Sequence, residues 1–379
     1  MYTMQATLPS RSHIHAEGGS VASLHTMHYA IGPCRVDVTD ATSYDLARLL
    51  SPSFAPFEEK EAAEGEPLLQ LHIDHQQDSL DGELEALRVA RDAAEGDVAA
   101  ENKGVAENKG AAEAPSQEGD GVKRLAFDWD QASCVVTFLA PGEHFITITP
   151  KPFTITYGLK SRDFFTSAHL GIPEGLSREE VHFVVNNYLM MLYAFAAAPC
   201  GVLLLHASAV VHQGKAYLFL GKSGTGKSTH SRLWLRHIPG CHLLNDDNPL
   251  VEVDKKTQRV TAYGSPWSGK TPCYRRESYP LGGVARLEQA PANVWRPAPT
   301  TVSGFGDVLP SCSMLRPEQK VAAGVMGSVF QLVQCVPVIE VRCLPDAGAA
   351  LMSAGAFGLD VTEYMERVGL QQHDGEDLR

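Results

Sequence analysis

The chain has 379 residues, enough for two domains and ample for a buried core, and its 44% hydrophobic content is ordinary for a globular protein. A formal net charge of −13 argues against a nucleic-acid binder, because a phosphate backbone demands a basic surface. The eight cysteines are scattered with no C-x-x-C pair, which suits reduced thiols in a cytoplasm better than a disulfide framework or a zinc site.

Residues 1–26 are polar, carry a Gly-Gly pair and lack the apolar core of a signal peptide, so a flexible tail is expected. Residues 27–170 read as a β-rich domain. Leu69-Gln70-Leu71-His72-Ile73-Asp74, Leu125-Ala126-Phe127-Asp128-Trp129-Asp130 and Phe153-Thr154-Ile155-Thr156-Tyr157 each alternate apolar and polar residues. Turn signals such as Pro141-Gly142 separate strands, and an antiparallel sheet is the expectation. Residues 82–123, rich in Ala, Glu, Gly and Lys, interrupt it with a six-residue repeat, Ala99-Ala100-Glu101-Asn102-Lys103-Gly104 then Val105-Ala106-Glu107-Asn108-Lys109-Gly110. Glycine at each repeat end opposes a continuous helix and no aromatic residue is there to pack, so a disordered insertion in a hairpin loop is predicted. A helical start over 84–94 and a binding role for the repeat are the alternatives.

Ser177-Arg178-Glu179-Glu180 is a capping box, opening a helix to about residue 198 with Val181, Val184, Val185, Tyr188, Leu189 and Leu192 on one face. The uncharged run 188–205 has the length of a membrane span, but Pro199-Cys200-Gly201 splits it into a helix end and a separate strand, and no membrane partner is expected. Residues 202–211 are then an apolar strand, followed by His212-Gln213-Gly214-Lys215 and Ala216-Tyr217-Leu218-Phe219-Leu220. A two-residue loop at Gln213-Gly214 pairs His212 with Lys215, and continuing that register sets His206 opposite Gly221, about 5 Å away at Cα. A satisfied core histidine is the other reading of His206.

Gly221-Lys222-Ser223-Gly224-Thr225-Gly226-Lys227-Ser228 matches G-x-x-x-x-G-K-[ST], a pattern expected by chance in roughly one chain in a hundred of this length. It sits between a strand and Thr229-His230-Ser231-Arg232-Leu233-Trp234-Leu235-Arg236, which reads as the first turns of a helix. That is the setting in which the motif binds a nucleoside triphosphate. Backbone N–H groups of Gly221, Ser223, Gly224, Thr225, Gly226 and Thr229 would curl around phosphate, Lys227 would reach the outer phosphates, and the Ser228 hydroxyl would ligate Mg²⁺. A plain glycine-rich strand-to-helix turn is the alternative. His242-Leu243-Leu244-Asn245-Asp246-Asp247-Asn248 ends a strand in two carboxylates. One acid would hold Mg²⁺ and another take a proton from an acceptor hydroxyl, the two facing opposite ways because they are adjacent. A solvated Asn-Asp-Asp-Asn-Pro turn is the competing reading. Gly264-Ser265-Pro266-Trp267-Ser268-Gly269-Lys270 is a further loop, and Lys270, Arg275 and Arg276 offer cations for a phosphoryl group or an anionic acceptor, or simply solvate a surface. A helix over 317–335, a last strand over 337–343 and a polar tail over 366–379 complete the chain.

At Leu205-His206-Ala207-Ser208, the glycine-rich loop and Leu244-Asn245-Asp246-Asp247, the chain resembles the HPr kinase/phosphorylase superfamily. The loop and the Asp-Asp pair are also similar to those of the related ATP-dependent phosphoenolpyruvate carboxykinases. Residues 264–270 and Pro280-Leu281-Gly282-Gly283 resemble HPr-kinase-like proteins with unassigned substrates. The resemblance spans roughly residues 200–345. It implies an α/β, HPr-kinase/phosphoenolpyruvate-carboxykinase-like P-loop domain over 171–365, preceded by the β-rich domain. It further implies an Mg²⁺- and ATP-dependent kinase acting on a hydroxyl of a protein, peptide or small molecule. Lys227 would hold phosphates, Ser228 would ligate Mg²⁺, His206 would be a polar partner on the acceptor side, and Asp246 and Asp247 would share metal binding and general-base duty. The Glu-Ile-Arg-Gly signature of HPr kinases is absent and Thr229 stands where they commonly carry Glu, so the acceptor is open, as is self-association. A nucleotide-binding regulatory protein or ATPase without transfer, and a carboxykinase-like lyase, are the alternative functions.

Overall fold

The computed structural model, which describes residues 24–61, 64–75, 123–129, 131–151, 155–362 and 364, has two nine-stranded sheets that share one large core, and a second, smaller core packs against the second sheet. The repeat insert at 82–122, residues 1–23 and the C-terminal tail lie outside the described residues. The first sheet contains β1 (His25–Ile31), β2 (Cys34–Asp40), β3 (Glu58–Glu59), β4 (Leu69–Asp74), β5 (Arg124–Trp129), β6 (Ala132–Ala140), β7 (Glu143–Pro150), β8 (Tyr157–Arg162) and β9 (Ser167–Gly171). Their order is β3-β1-β2-β4-β9-β8-β7-β6-β5.

Three expectations are corrected here. The sheet is mixed: β4 runs parallel to both β2 and β9, with Val36 opposite Leu69 and His72 opposite His169. A two-residue period reports one buried face and carries no strand direction. The chain between β2 and β4, which holds α1 (Leu46–Leu50), is long enough for the crossover a parallel pair needs. The expected strand over 153–157 begins only at Tyr157, and 152–154 lie outside the described residues. Pairing also starts earlier than the expected tail allowed, with His25 opposite Asp40.

The helix α2 (Arg178–Ala197) joins the two sheets. Its capping box is complete: Glu180 N–H donates to Ser177 Oγ at 3.2 Å, and Ser177 N–H donates to the Glu180 carboxylate at 3.1 Å. All six apolar residues read as its buried face are buried. The Tyr193 hydroxyl donates to the Ile31 carbonyl at 2.7 Å, and Tyr188 Oη lies 3.0 and 2.7 Å from the Ile146 and Tyr157 carbonyls, tying the helix to the first sheet. The segment 178–200 is long and apolar enough to cross a membrane, yet 67% of its most apolar window is buried inside the protein. It ends in a 3₁₀ turn over Ala198–Cys200 and left-handed Gly201 (φ 86°), where a Cβ would stand 2.8 Å from the Val253 carbonyl oxygen.

The second sheet holds β10 (Val202–Leu204), β11 (Ala207–His212), β12 (Lys215–Leu220), β13 (His242–Asn245), β14 (Leu250–Asp254), β15 (Arg259–Tyr263) and β16 (Ser278–Gln289), ordered β10-β14-β15-β16-β12-β11-β13. Two more strands, β17 (Val294–Pro297) and β18 (Val338–Cys343), join through the pairing of β18 with β16. Strand β16 is parallel to β12 and β18 and antiparallel to β15. Four helices surround these strands: α3 (Lys227–His237), α4 (Thr301–Val308), α5 (Gln319–Cys335) and α6 (Ala347–Ala356), of which α4 and α6 have no counterpart in the sequence reading. A buried ring cluster of Tyr217, Phe219 and Trp234, with Phe357 beside it, holds α3 against β12 at centroid spacings near 5.3 Å. Each such pair contributes about 0.5–1.5 kcal/mol beyond its burial.

The expected single strand over 202–211 is two strands. β10 pairs with β14, while β11 pairs with β12 and β13. The break falls at Leu205-His206, where Leu205 bridges Cys312 and His206 N–H donates to the Ser311 carbonyl at 2.7 Å. Apolar residues continue through the break because both flanking strands are buried, so hydropathy alone gives no sign of it.

Candidate functional site

One corner of the second sheet gathers the glycine-rich loop, the start of β11 and the end of β13. The hairpin that sets it up turns on Gln213 (φ 48°) and Gly214 (φ 72°), both left-handed as a type I′ turn requires. Its register runs from His212 opposite Lys215 to Ala207 opposite Leu220. There the ladder stops: His206, turned toward Ser311, does not extend it to Gly221, and its side chain is half exposed. His206 is therefore neither a strand partner of Gly221 nor a buried core histidine.

The loop after β12 bends through Gly221 (φ 152°), Gly224 (φ 81°) and Gly226 (φ 106°). A Cβ on Gly221 would meet Thr225 Cγ2 at 3.1 Å and the Leu287 carbonyl oxygen at 3.2 Å, so backbone freedom and lack of bulk are both needed. Gly226 caps α3 without any side-chain hydrogen bond, leaving the first-turn N–H groups uncapped by side chains and a partial positive charge at the helix start. Lys227, Ser228 and Thr229 form that turn. Lys227 Nζ is folded back onto the Gly221 and Lys222 carbonyls at 3.0 and 3.4 Å. Burial holds its pKa below the ordinary lysine value, opposed by the nearby Asp247 and Asp246 carboxylates. Gln289, at the end of β16, donates to the Gly224 carbonyl at 3.3 Å and steadies the loop from the far side.

The aspartates are placed by a residue the sequence reading quoted without a role. Buried Asn245 ends β13, and its Oδ1 accepts from the backbone N–H groups of Asp247 (2.9 Å) and Asn248 (2.8 Å), an Asx turn that bends the chain at the pair. Its Nδ2 donates to Ser265 Oγ at 3.2 Å and to the Trp267 carbonyl at 3.2 Å, fastening the 264–270 loop. Asp246 is 5% exposed. Its Oδ1 accepts from Ser208 Oγ at 2.9 Å, and its Oδ2 is buried with no hydrogen-bond partner. Ser208 also contacts buried Ser231 of α3, so strand, helix and acid share one polar seam. Asp247 is more open, and its Oδ1 lies 3.8 Å from His206 Nε2, beyond hydrogen-bond range. Partial burial, and then the charge of Lys227, lower the His206 pKa against the opposing pull of Asp247, keeping the imidazole neutral near pH 7.

The remaining cations flagged in the sequence are engaged elsewhere or exposed. Arg275 pairs with Glu277 at 3.0 Å and Arg276 with Glu59 of the first sheet at 2.7 Å, while Lys270 is exposed. Their loop nonetheless touches the acids through Gly269, where a Cβ would sit 3.1 Å from the Asp246 carbonyl oxygen and 3.2 Å from Asp247 Cβ. Trp267 anchors the loop from behind, buried against Tyr193 and Phe54 at 5.3 and 6.1 Å between centroids. Ser208, Ser231, Asn245, Gly269 and Gln289 had no assigned role in the sequence reading. Only Asn245 carried a usable signal, as an Asx-turn former directly before the acid pair.

A corner that pairs an uncapped helix start and a lysine with two carboxylates, one bearing a buried unpartnered oxygen, can hold an anion and a cation side by side. The class defined is a mixed α/β protein of two large sheets with such a corner on the second. Among solved structures, the HPr(Ser) kinase/phosphatase from Coxiella burnetii is similar with a TM-score of 0.24 and 14% identity, over 44% of this chain and 93% of that one. At that score and identity the likeness transfers neither a fold assignment nor a residue's role. No protein-family model and no curated protein matches the chain.

Proposed function

We propose that the protein is a cytoplasmic Mg²⁺-ATP-dependent phosphotransferase that moves the γ-phosphoryl group to a hydroxyl of a protein, peptide or small molecule. The observation that carries this reading is the buried, unpartnered Oδ2 of Asp246 in a corner where both aspartates act electrostatically on Lys227 at the uncapped start of α3. Mg²⁺-ATP, when bound, supplies the transferable group and a cation that draws charge from it.

In this reading Lys227 and the backbone N–H groups over 221–229 bind and orient the phosphates, and Ser228 with Asp246 holds the metal. Ser208 keeps Asp246 in its rotamer through the 2.9 Å hydrogen bond. Asp247, more exposed and beside a neutral imidazole, takes the proton from the acceptor hydroxyl, with His206 positioning that hydroxyl. Catalysis rests on positioning and charge neutralisation, as expected for phosphoryl transfer.

The test follows γ-labelled ATP with Mg²⁺ in a cell extract separated into macromolecular and small-molecule fractions. Label on an acceptor, absent with Lys227→Ala, is the expected result. Label recovered only as free phosphate, or never released from the protein, overturns the proposal in favour of an ATPase or a nucleotide-sensing switch.

A further inference from the structure

We propose that the outer face of the first sheet carries a transition-metal site built from His72, Asp74 and His169, suited to a first-row divalent ion such as Zn²⁺. The site is separate from the glycine-rich loop and does not depend on the function assigned to it. His72 and Asp74 are two apart on β4, so both side chains stand on the face opposite buried Leu71 and Ile73. His169 on β9 is the direct cross-strand partner of His72 in the parallel register. Both strands lie near the middle of a nine-stranded sheet, so three donors are held by paired backbone and not by a loop.

The distances fit one ion. Asp74 Oδ2 lies 2.9 Å from His169 Nε2 and 3.5 Å from His72 Nε2, and one ligand atom from each residue falls within 4.8 Å of the others. Zinc bonds of about 2.0–2.2 Å place tetrahedral donors about 3.3 Å apart, inside the two measured separations. The plain alternative is a histidine–aspartate hydrogen-bonded surface cluster, and one atom speaks against it. His169 Nε2 is buried and makes no hydrogen bond despite the 2.9 Å approach, so its angle to the carboxylate is wrong for N–H···O. A buried ring nitrogen without a hydrogen bond, close beside a carboxylate oxygen, is an atom that a shared cation would satisfy. Two imidazoles and one carboxylate form a borderline donor set that selects zinc, iron or a neighbouring ion over Mg²⁺ or Ca²⁺. The side chains of His72 and His169 are 44% and 32% exposed, so solvent or a further ligand completes the coordination. Thr39 stands across from His72 on β2 and Lys160 across from His169 on β8, the latter a cation that moderates affinity.

The full chain would be titrated with Co²⁺ and Zn²⁺ at pH 7.5, in millimolar Mg²⁺ so that the aspartate corner does not compete. One equivalent of Co²⁺ with visible d–d absorption is expected, displaced by Zn²⁺. Asp74→Asn and His169→Gln should each weaken binding at least tenfold. Crystals grown with Zn²⁺ provide a readout that survives a variant that fails to fold, and an anomalous peak among the three side chains is expected. No uptake of Co²⁺ below about 100 µM, binding unchanged in both variants, or a peak elsewhere only, overturns the proposal.

Discussion

Replacing Asp246 with asparagine should stabilise the ligand-free protein while abolishing its response to Mg²⁺-ATP. The carboxylate is 5% exposed, with Oδ1 bonded to Ser208 and Oδ2 buried without a partner. A buried acceptor in that state costs about 1–3 kcal/mol, and more when it is charged. Asparagine keeps an oxygen for Ser208 and removes the charge, although its amide nitrogen inherits the unpartnered position. The unpartnered polar cost therefore remains and only the added cost of the charge is relieved, so the ligand-free fold gains about 1 kcal/mol. On the proposed function the wild-type protein would gain from ligand instead: at a hundredfold excess over Kd, binding would add about 2.7 kcal/mol. Calorimetric unfolding with and without Mg²⁺-ATP reads both effects. The variant should unfold at a higher temperature than wild type without ligand and show no shift when ligand is added. A variant no more stable than wild type, or one that still shifts with Mg²⁺-ATP, refutes the idea that this acid is held in an unfavourable state to receive a cation.

Gly264→Ala should destabilise the protein by at least about 1–3 kcal/mol, because the new Cβ would lie 2.1 Å from the Arg275 carbonyl oxygen and backbone must move to admit it; a wild-type denaturation midpoint would refute this. Stability should also fall on acidification. Burial pushes the His230 pKa down to about 4, so the native state keeps it neutral while the unfolded chain takes a proton below about 6.5. The contribution is fully present above about pH 6.5 and is lost as pH falls to about 4, by up to about 1.4 kcal/mol per unit. His144, lowered chiefly by burial and 3.1 Å from Glu318, adds a slope of the same sign. Urea unfolding at pH 7.5, 6 and 5 checks the trend, and His230→Gln should flatten it.

How much was legible in the sequence depends on whether a feature was local. The capping box at Ser177, the Gln213-Gly214 turn and the strand–loop–helix around the glycines are read within ten residues or so, and the structure has each of those local forms. Direction within the first sheet was not legible, because β4 lies between β2 and β9 only through long connections, and alternation looks the same in either orientation. The His72–His169 pairing was invisible for the same reason: nearly a hundred residues separate the two, and only the parallel register joins them. Burial of Asp246 was also hidden. An Asn-Asp-Asp-Asn-Pro run looks solvated until Ser208 and the 264–270 loop are seen to close over it.

The strand break at Leu205-His206 ties these observations together. Had residues 202–211 formed one strand, His206 would have remained in the ladder opposite Gly221, with its side chain committed to one face of a packed sheet. Instead the chain leaves β10, bonds to Ser311, and enters β11 with Ala207 N–H donating to the Asp247 carbonyl at 2.9 Å. Because β11 is antiparallel to both neighbours, its first residues lie beside the last residues of β12 and β13. Glycine loop, histidine and acid pair therefore meet at the carboxyl ends of those two strands, the place where open α/β sheets present ligand sites. The break frees an imidazole to lie half exposed near Asp247, and the Asx turn of Asn245 delivers one acid inward and the other outward. The difference in burial between Asp246 and Asp247 follows from that turn, and exchanging Asn245 for alanine would remove both acceptor bonds that create it.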